Sequence, residues 1–261
     1  MEFGDKLFEK IQSQLFKILD LAEKMHVIEE ALNCYFDKIF MSPDKTIISN
    51  YPIGYTENYG VWRSRNERNI NSYLNFINED CRVGIPIDGI ANLTTIMEVM
   101  FSDVILEIVK EYPKKIGDKV KIETPKIFQV ETLEELHHYA AKKLINDISY
   151  KSPRDFIEQF KNISGVDLKE CKQYQNYIEL KSTRDIYVHG VGIANEIYTG
   201  KVGEELQRAK EGESLPCDFK YLYKSFEVCI NILEFLENEC HKKWKSEKYL
   251  RMVDGLDSKI S

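Results

Sequence analysis

Residues 93–113, LTTIMEVMFSDVILEIVKEYP, decide the fold. Leu93, Ile96, Met97, Met100, Phe101, Val104, Ile105, Ile108 and Val109 recur at helical spacing and spread over a wide stripe, the mark of a central, mostly buried helix. Tyr112-Pro113 stops it, because proline lacks the backbone N–H and crowds the turn before it.

The same period recurs on both sides. From Phe3 to Phe40, the positions Phe8, Ile11, Leu15, Ile18, Leu19, Ala22, Met25, Ile28, Leu32, Tyr35, Phe36 and Ile39 predict one long helix or two in succession. Ser42-Pro43-Asp44 ends it. After the charged connector GDKVKIETPK, Leu133, Leu136, Ala140, Leu144 and Ile148 share one helical face, and Ser152-Pro153 opens a short helix, PRDFIEQF, with a cap and a first-turn proline. Asp167-Leu168-Lys169-Glu170 resembles a capping box and predicts a helix over about 168–189, stopped by Gly190. The last long helix is predicted over about 218–245, with Phe219, Leu222, Phe226, Cys229, Ile230, Leu233 and Leu236 inward.

Residues 43–90 are rich in Tyr, Asn and Gly and show no clean period until a short helix near Ile70 to Ile77. They read as an irregular insertion, and no segment reads as a convincing run of strands. The fold class is therefore an all-α antiparallel bundle in one domain over 1–250: an N-terminal helix at 3–40, an irregular insertion at 43–90 and a core at 91–245. Residues 251–261 read as a polar, frayed tail.

The chain has 261 residues, 43 % hydrophobic and 30 % charged, enough to bury a sizeable core, and a net charge of −7. That charge argues against broad electrostatic adhesion to nucleic acid, so any role with RNA must rest on a confined groove or a basic partner. The N-terminus MEFGDKLFEKIQSQ lacks the basic and apolar regions of a signal peptide, and no long uninterrupted apolar window exists, so a cytoplasmic location without membrane is expected. Six cysteines lie scattered without CxxC spacing and read as buried thiols, Cys240-His241 point about 100° apart on a helix, and His137-His138 lack a ligand partner one turn away. No metal and no cofactor are expected.

The chemistry concentrates in residues 179–201, ELKSTRDIYVHGVGIANEIYTGK. Arg184 and His189 fall within about the last turn and a half of a helix that Gly190 then breaks. Five residues correspond to about 500°, so the two side chains start some 140° apart, yet His189 at the terminus and the long Arg184 can converge. Histidine exchanges protons near neutral pH, and the arginine fork binds phosphate oxygens. With Asp185 in support, these groups suffice for RNA cleavage by the substrate's own 2′-hydroxyl. The competing reading pairs Arg184 with Asp185 or Glu179 on a solvated face. A second candidate, Trp62-Arg63-Ser64-Arg65-Asn66-Glu67-Arg68 preceded by Tyr51, Tyr55 and Tyr59, mixes aromatics with basic residues. Arg63, Arg65 and Arg68 suit contacts to unpaired RNA, or the aromatics simply pack on the bundle.

The Arg-polar-x3-His run at a helix end, followed by HGVGIANEIY, resembles the HEPN superfamily, and IMEVMFSDVILEIVKEYPKKI resembles the core helix of some HEPN families, with Glu98 or Asp103 punctuating its stripe. The resemblance covers roughly residues 91–240. It implies a ribonuclease of toxin–antitoxin or antiviral defence type, with Arg184 and His189 catalytic. It also implies a homodimer that faces two motifs across one composite cleft, and a possible antitoxin or defence-system partner. The residue after the arginine is commonly asparagine or another polar residue in that family; here it is Asp185.

Overall fold

The computed structural model describes residues 2–41, 46–49, 52–58, 60–63, 66–117, 120–149 and 153–260. In chain order the helices and strands are α1 (Phe3–Phe40), β1 (Thr46–Ser49), β2 (Pro52–Thr56), β3 (Gly60–Arg63), β4 (Asn66–Asn69), α2 (Ile70–Asn75), α3 (Arg82–Glu111), α4 (Thr124–Ile127), α5 (Leu133–Ser149), α6 (Pro153–Ser164), α7 (Tyr174–His189), α8 (Glu196–Lys201), α9 (Phe219–Lys243) and α10 (Glu247–Ile260). The architecture is an all-α helical bundle.

α3 is the central helix. It packs against α1, α5, α6, α7 and α9, and Leu93, Met97, Met100, Phe101, Val104, Ile105, Ile108 and Val109 are all buried. The helix begins earlier than expected, at Arg82, and continues from α2 through a π-helical turn, Phe76–Cys81, with Pro86 inside it. The stretch 70–111 is long and apolar enough to cross a membrane by length and composition, but half of its most apolar window is buried against the other helices.

α1 presents a narrower face than its apolar positions suggest. Gly4, Leu7, Ile11, Gln14, Ile18, Leu21 and Met25 are buried, an alternation of threes and fours that makes a coiled-coil-like seam. Gln14 sits in that seam by donating to Asp103 of α3 at 3.2 Å. Phe16, Leu19 and Val27 fall outside it and are exposed.

Three expectations need correction. The described residues between 46 and 69 are not irregular: β1 pairs with β4 and β2 with β3, both antiparallel, and the Pro52↔Arg63 pairing continues the register of the outer pair before a bulge between Pro52 and Gly54. The ribbon escaped notice because its strands carry Asn, Gly and Pro rather than alternating apolar residues, and Gly54 to Asn58 at its tip are exposed. The helix expected from 168 starts at Tyr174, because Asp167 caps only a short 3-10 turn, Leu168–Glu170. Of the tail, residues 251–260 lie in α10 rather than in an irregular end. Ser246 Oγ accepts from Tyr249 N at 3.1 Å and donates to Asp5 of α1 at 2.7 Å, which caps α10 and ties it to the first helix. Ser42, Pro43 and Ser152 lie outside the described residues.

Gly4 is demanded by that same junction. A Cβ there would meet the Lys245 carbonyl oxygen at 2.2 Å and that of Trp244 at 2.3 Å. Backbone cannot yield as a side chain can, so Gly4→Ala is expected to cost about 1–3 kcal/mol and to lower Tm by roughly 3–10 °C in a thermal melt.

Glu237 of α9 is buried, and Gln12 Nε2 donates to its Oε1 at 2.5 Å. Burial pushes its carboxyl up to about 7, opposed by the Gln12 hydrogen bond and reinforced by Glu234. Over this range the folded chain holds a proton that the unfolded chain has lost, so the contribution of Glu237 to stability falls as pH rises from about 4.5 to 7. Glu237→Gln is expected to leave stability nearly unchanged near pH 4.5 and to raise it near pH 8 by about 2 kcal/mol, measured by urea titration at both pH values.

Candidate functional site

Gly190 ends α7 for a steric reason. Its backbone is extended, not left-handed, and a Cβ would lie 2.7 Å from the Ile186 carbonyl oxygen. The left-handed residue is Gly192, at φ +76°, where the Tyr187 ring would be 2.7 Å from a Cβ. The chain then folds back: Ile193 bridges to Ser214, Ala194 N donates to the Glu213 carbonyl at 2.9 Å, and the Tyr187 hydroxyl donates to the Leu215 carbonyl. Ile186, Ala194, Tyr198, Val202, Ala209 and Leu215 close into a small apolar cluster separate from the main core. Asn195 caps α8, accepting from Tyr198 N at 3.0 Å.

This excursion surrounds a buried carboxylate, Glu179, in the middle of α7. Its Oε1 accepts from Thr183 Oγ1 at 2.8 Å, Tyr198 OH at 3.0 Å and Arg208 Nε at 2.9 Å, and its Oε2 accepts from Tyr221 OH at 2.7 Å. Arg208 Nη2 also donates to Thr183 at 2.8 Å, and the guanidinium lies over the Tyr221 ring at 3.5 Å. Burial holds the Tyr221 hydroxyl well above the ordinary phenol value, with Glu179 adding to the effect, and burial pushes Tyr198 up to about 12. Both phenols therefore stay protonated as donors. A pocket of about 510 Å³ opens onto this network, walled by Leu180, Leu206, Tyr221 and Val228, with the exposed Lys220 and Lys224 also lining it.

The expected pair sits elsewhere on α7. Arg184 Nη1 donates to Asp185 Oδ1 at 3.0 Å, and the Arg184 Nε is buried without a hydrogen-bond partner among the described residues. Asp185 Oδ2 lies 3.7 Å from Lys201 Nζ at the end of α8. Lys181, one turn earlier, pairs with Glu98 of α3 at 2.8 Å. His189 is exposed at the last residue of the helix, and among the described residues it has no hydrogen bond or ion pair. Among the described residues no hydrogen bond links Arg184 to His189 within one chain. Of the two bland pairings for Arg184, the one with Asp185 is present, whereas Glu179 binds Arg208 instead.

Val188, Val191, Ile193 and Ile197, all close to His189 in sequence, are exposed, Val191 at 87 %. Of the second candidate, the Arg68 guanidinium packs over Phe76 at 4.4 Å, and Tyr55 is exposed. Arg63 belongs to β3 with its side chain outside the described part, and Arg65, Tyr51 and Tyr59 lie outside the described residues.

Reading the sequence along the chain did not find Arg208, Tyr198, Tyr221 or Lys201. Their partners are 16 to 42 residues away, and only Thr183, one turn after Glu179, carried a local signal. Fold and site together define an all-helical protein with a buried charged network beside an exposed helix terminus. No protein-family model matches the chain, and no curated protein or solved structure is significantly similar to it.

Removing one partner of a buried ion pair leaves the other charge uncompensated. Arg208→Ala is expected to cost about 3–5 kcal/mol in a urea titration, and Tyr221→Phe, which removes one donor, about 1–2 kcal/mol.

Proposed function

We propose that the protein is a metal-independent endoribonuclease of toxin or anti-phage defence type, acting in the cytoplasm through a HEPN-like site formed by Arg184, Asp185 and His189. The observation that carries this reading is the terminus of α7: an exposed imidazole without a partner, about a turn and a half beyond a guanidinium whose Nε–H is unsatisfied. In the reaction, the 2′-oxygen bonds to phosphorus and releases its proton while the P–O5′ bond breaks and the leaving oxygen takes one up. The products are a 2′,3′-cyclic phosphate and a 5′-hydroxyl. Arg184 offsets the charge that builds on the phosphoryl oxygens, and Asp185 orients it until the substrate arrives.

In-line attack puts the 2′-oxygen and the leaving 5′-oxygen on opposite sides of phosphorus, so one imidazole does not reach both. Two copies facing each other supply both groups. Val188, Val191, Ile193 and Ile197, exposed in the same stretch of chain as His189, offer apolar side chains for such a pairing. A basic or antitoxin-like partner could cover the same surface in the resting state.

A second reading is a non-catalytic helical module that binds a nucleotide or a partner protein. It is favoured by the 510 Å³ pocket beside Glu179 and by the acid already placed on Arg184.

Incubation with total RNA in EDTA separates the two. Wild type is expected to yield fragments ending in cyclic phosphate and to arrest growth on expression. Arg184→Ala and His189→Ala are each expected to abolish both effects with unchanged far-UV circular dichroism. Undiminished cleavage by either variant would sink the nuclease assignment, and intact RNA in a stable complex would support the second reading.

A further inference from the structure

Asp185 bridges two cations with its two oxygens. Oδ1 accepts from Arg184 Nη1 at 3.0 Å and Oδ2 faces Lys201 Nζ at 3.7 Å, while all three side chains are only partly exposed, between 26 % and 35 %. The bridge joins the end of α8 to α7, so it exists only because the 190–201 excursion folds back. A phosphodiester presents the same chemistry, one negative charge shared by two oxygens on one centre, so its exchange with the carboxylate keeps both Arg184 Nη1 and Lys201 Nζ paired. Lys201 has no other ion-pair partner among the described residues. In a chain of net charge −7, two cations held at one point are a local basic site of the kind the overall field does not provide.

We propose that Lys201 is the second phosphate-contacting residue of this site. Asp185 holds the position that the phosphodiester oxygens take, so single-stranded RNA binds by exchanging with the Asp185 carboxylate. The inference rests on the reading of Arg184 as a phosphate clamp, and it adds a residue and an exchange step to it.

The test is fluorescence anisotropy of a 5′-labelled single-stranded RNA oligonucleotide in EDTA, across a range of salt, with His189→Ala as background to prevent cleavage. Lys201→Ala is expected to weaken binding several-fold, equally across sequences, and to reduce the salt slope by about 0.7, the value for one single-strand phosphate contact. Lys201→Arg should restore the slope. Asp185→Asn should tighten binding several-fold.

The double variant decides between contact and support. If Lys201 touches phosphate, Lys201→Ala still weakens binding in the Asp185→Asn background. If it only positions Asp185, the effect disappears there, and the proposal fails. It also fails if the slope of Lys201→Ala equals that of the background or if the background binds no RNA. RNA binding with the expected slopes but no cleavage by wild type would retain this inference and discard the nuclease. Cleavage by wild type with an unaffected Lys201→Ala would do the reverse.

Discussion

A carboxylate buried in the middle of a helix must find donors or lose its charge, and Glu179 finds four. One comes from its own helix, one from α8, one from the strap after α8 and one from the first turn of α9. The requirement thereby sets the path of the chain from 190 to 221. The small apolar cluster around Tyr198 and Leu215, separate from the main core, packs on the same helix through Ile186 and is tied to it by the bond from the Tyr187 hydroxyl to the Leu215 carbonyl.

The consequence reaches the helix terminus. α8 is short, capped by Asn195 and seated by Tyr198, and Lys201 is its last residue. Seating Tyr198 on Glu179 carries Lys201 to Asp185. The buried network and the exposed site are thus two ends of one arrangement: the network supplies rigidity, and the terminus supplies exposed, titratable groups. Gly190 and Gly192 allow the two to be this close, the first by leaving room for the Ile186 carbonyl and the second by adopting a left-handed backbone against the Tyr187 ring.

The main bundle obeys a simpler constraint. α3 is apolar over so much of its surface that several helices must cover it, and α1, α5, α6, α7 and α9 do so. Polar exceptions in that core are matched in pairs, such as Gln14 with Asp103 and Gln12 with Glu237. Four of the six cysteines are buried among these helices as small apolar groups, while Cys34 is exposed.

Helix period, proline stops and caps are local properties, so α1, the buried stripe of α3, the start of α9 at Asp218 and the end of α7 at Gly190 were legible in the residues themselves. So was the position of Arg184, Asp185 and His189 at a helix end. The ribbon at 46–69 was not, because a two-stranded pairing with Asn and Gly in its strands is specified by the partner strand rather than by its own pattern. α10 was not, because a polar helix depends on a cap shared with Asp5, 241 residues away. The bonds from Tyr198, Arg208 and Tyr221 to Glu179 and the bridge from Asp185 to Lys201 belong to tertiary structure alone. Apart from neighbours such as Arg184 and Asp185, a charge does not carry its counter-charge in its own stretch of sequence, and only packing decides which one it meets.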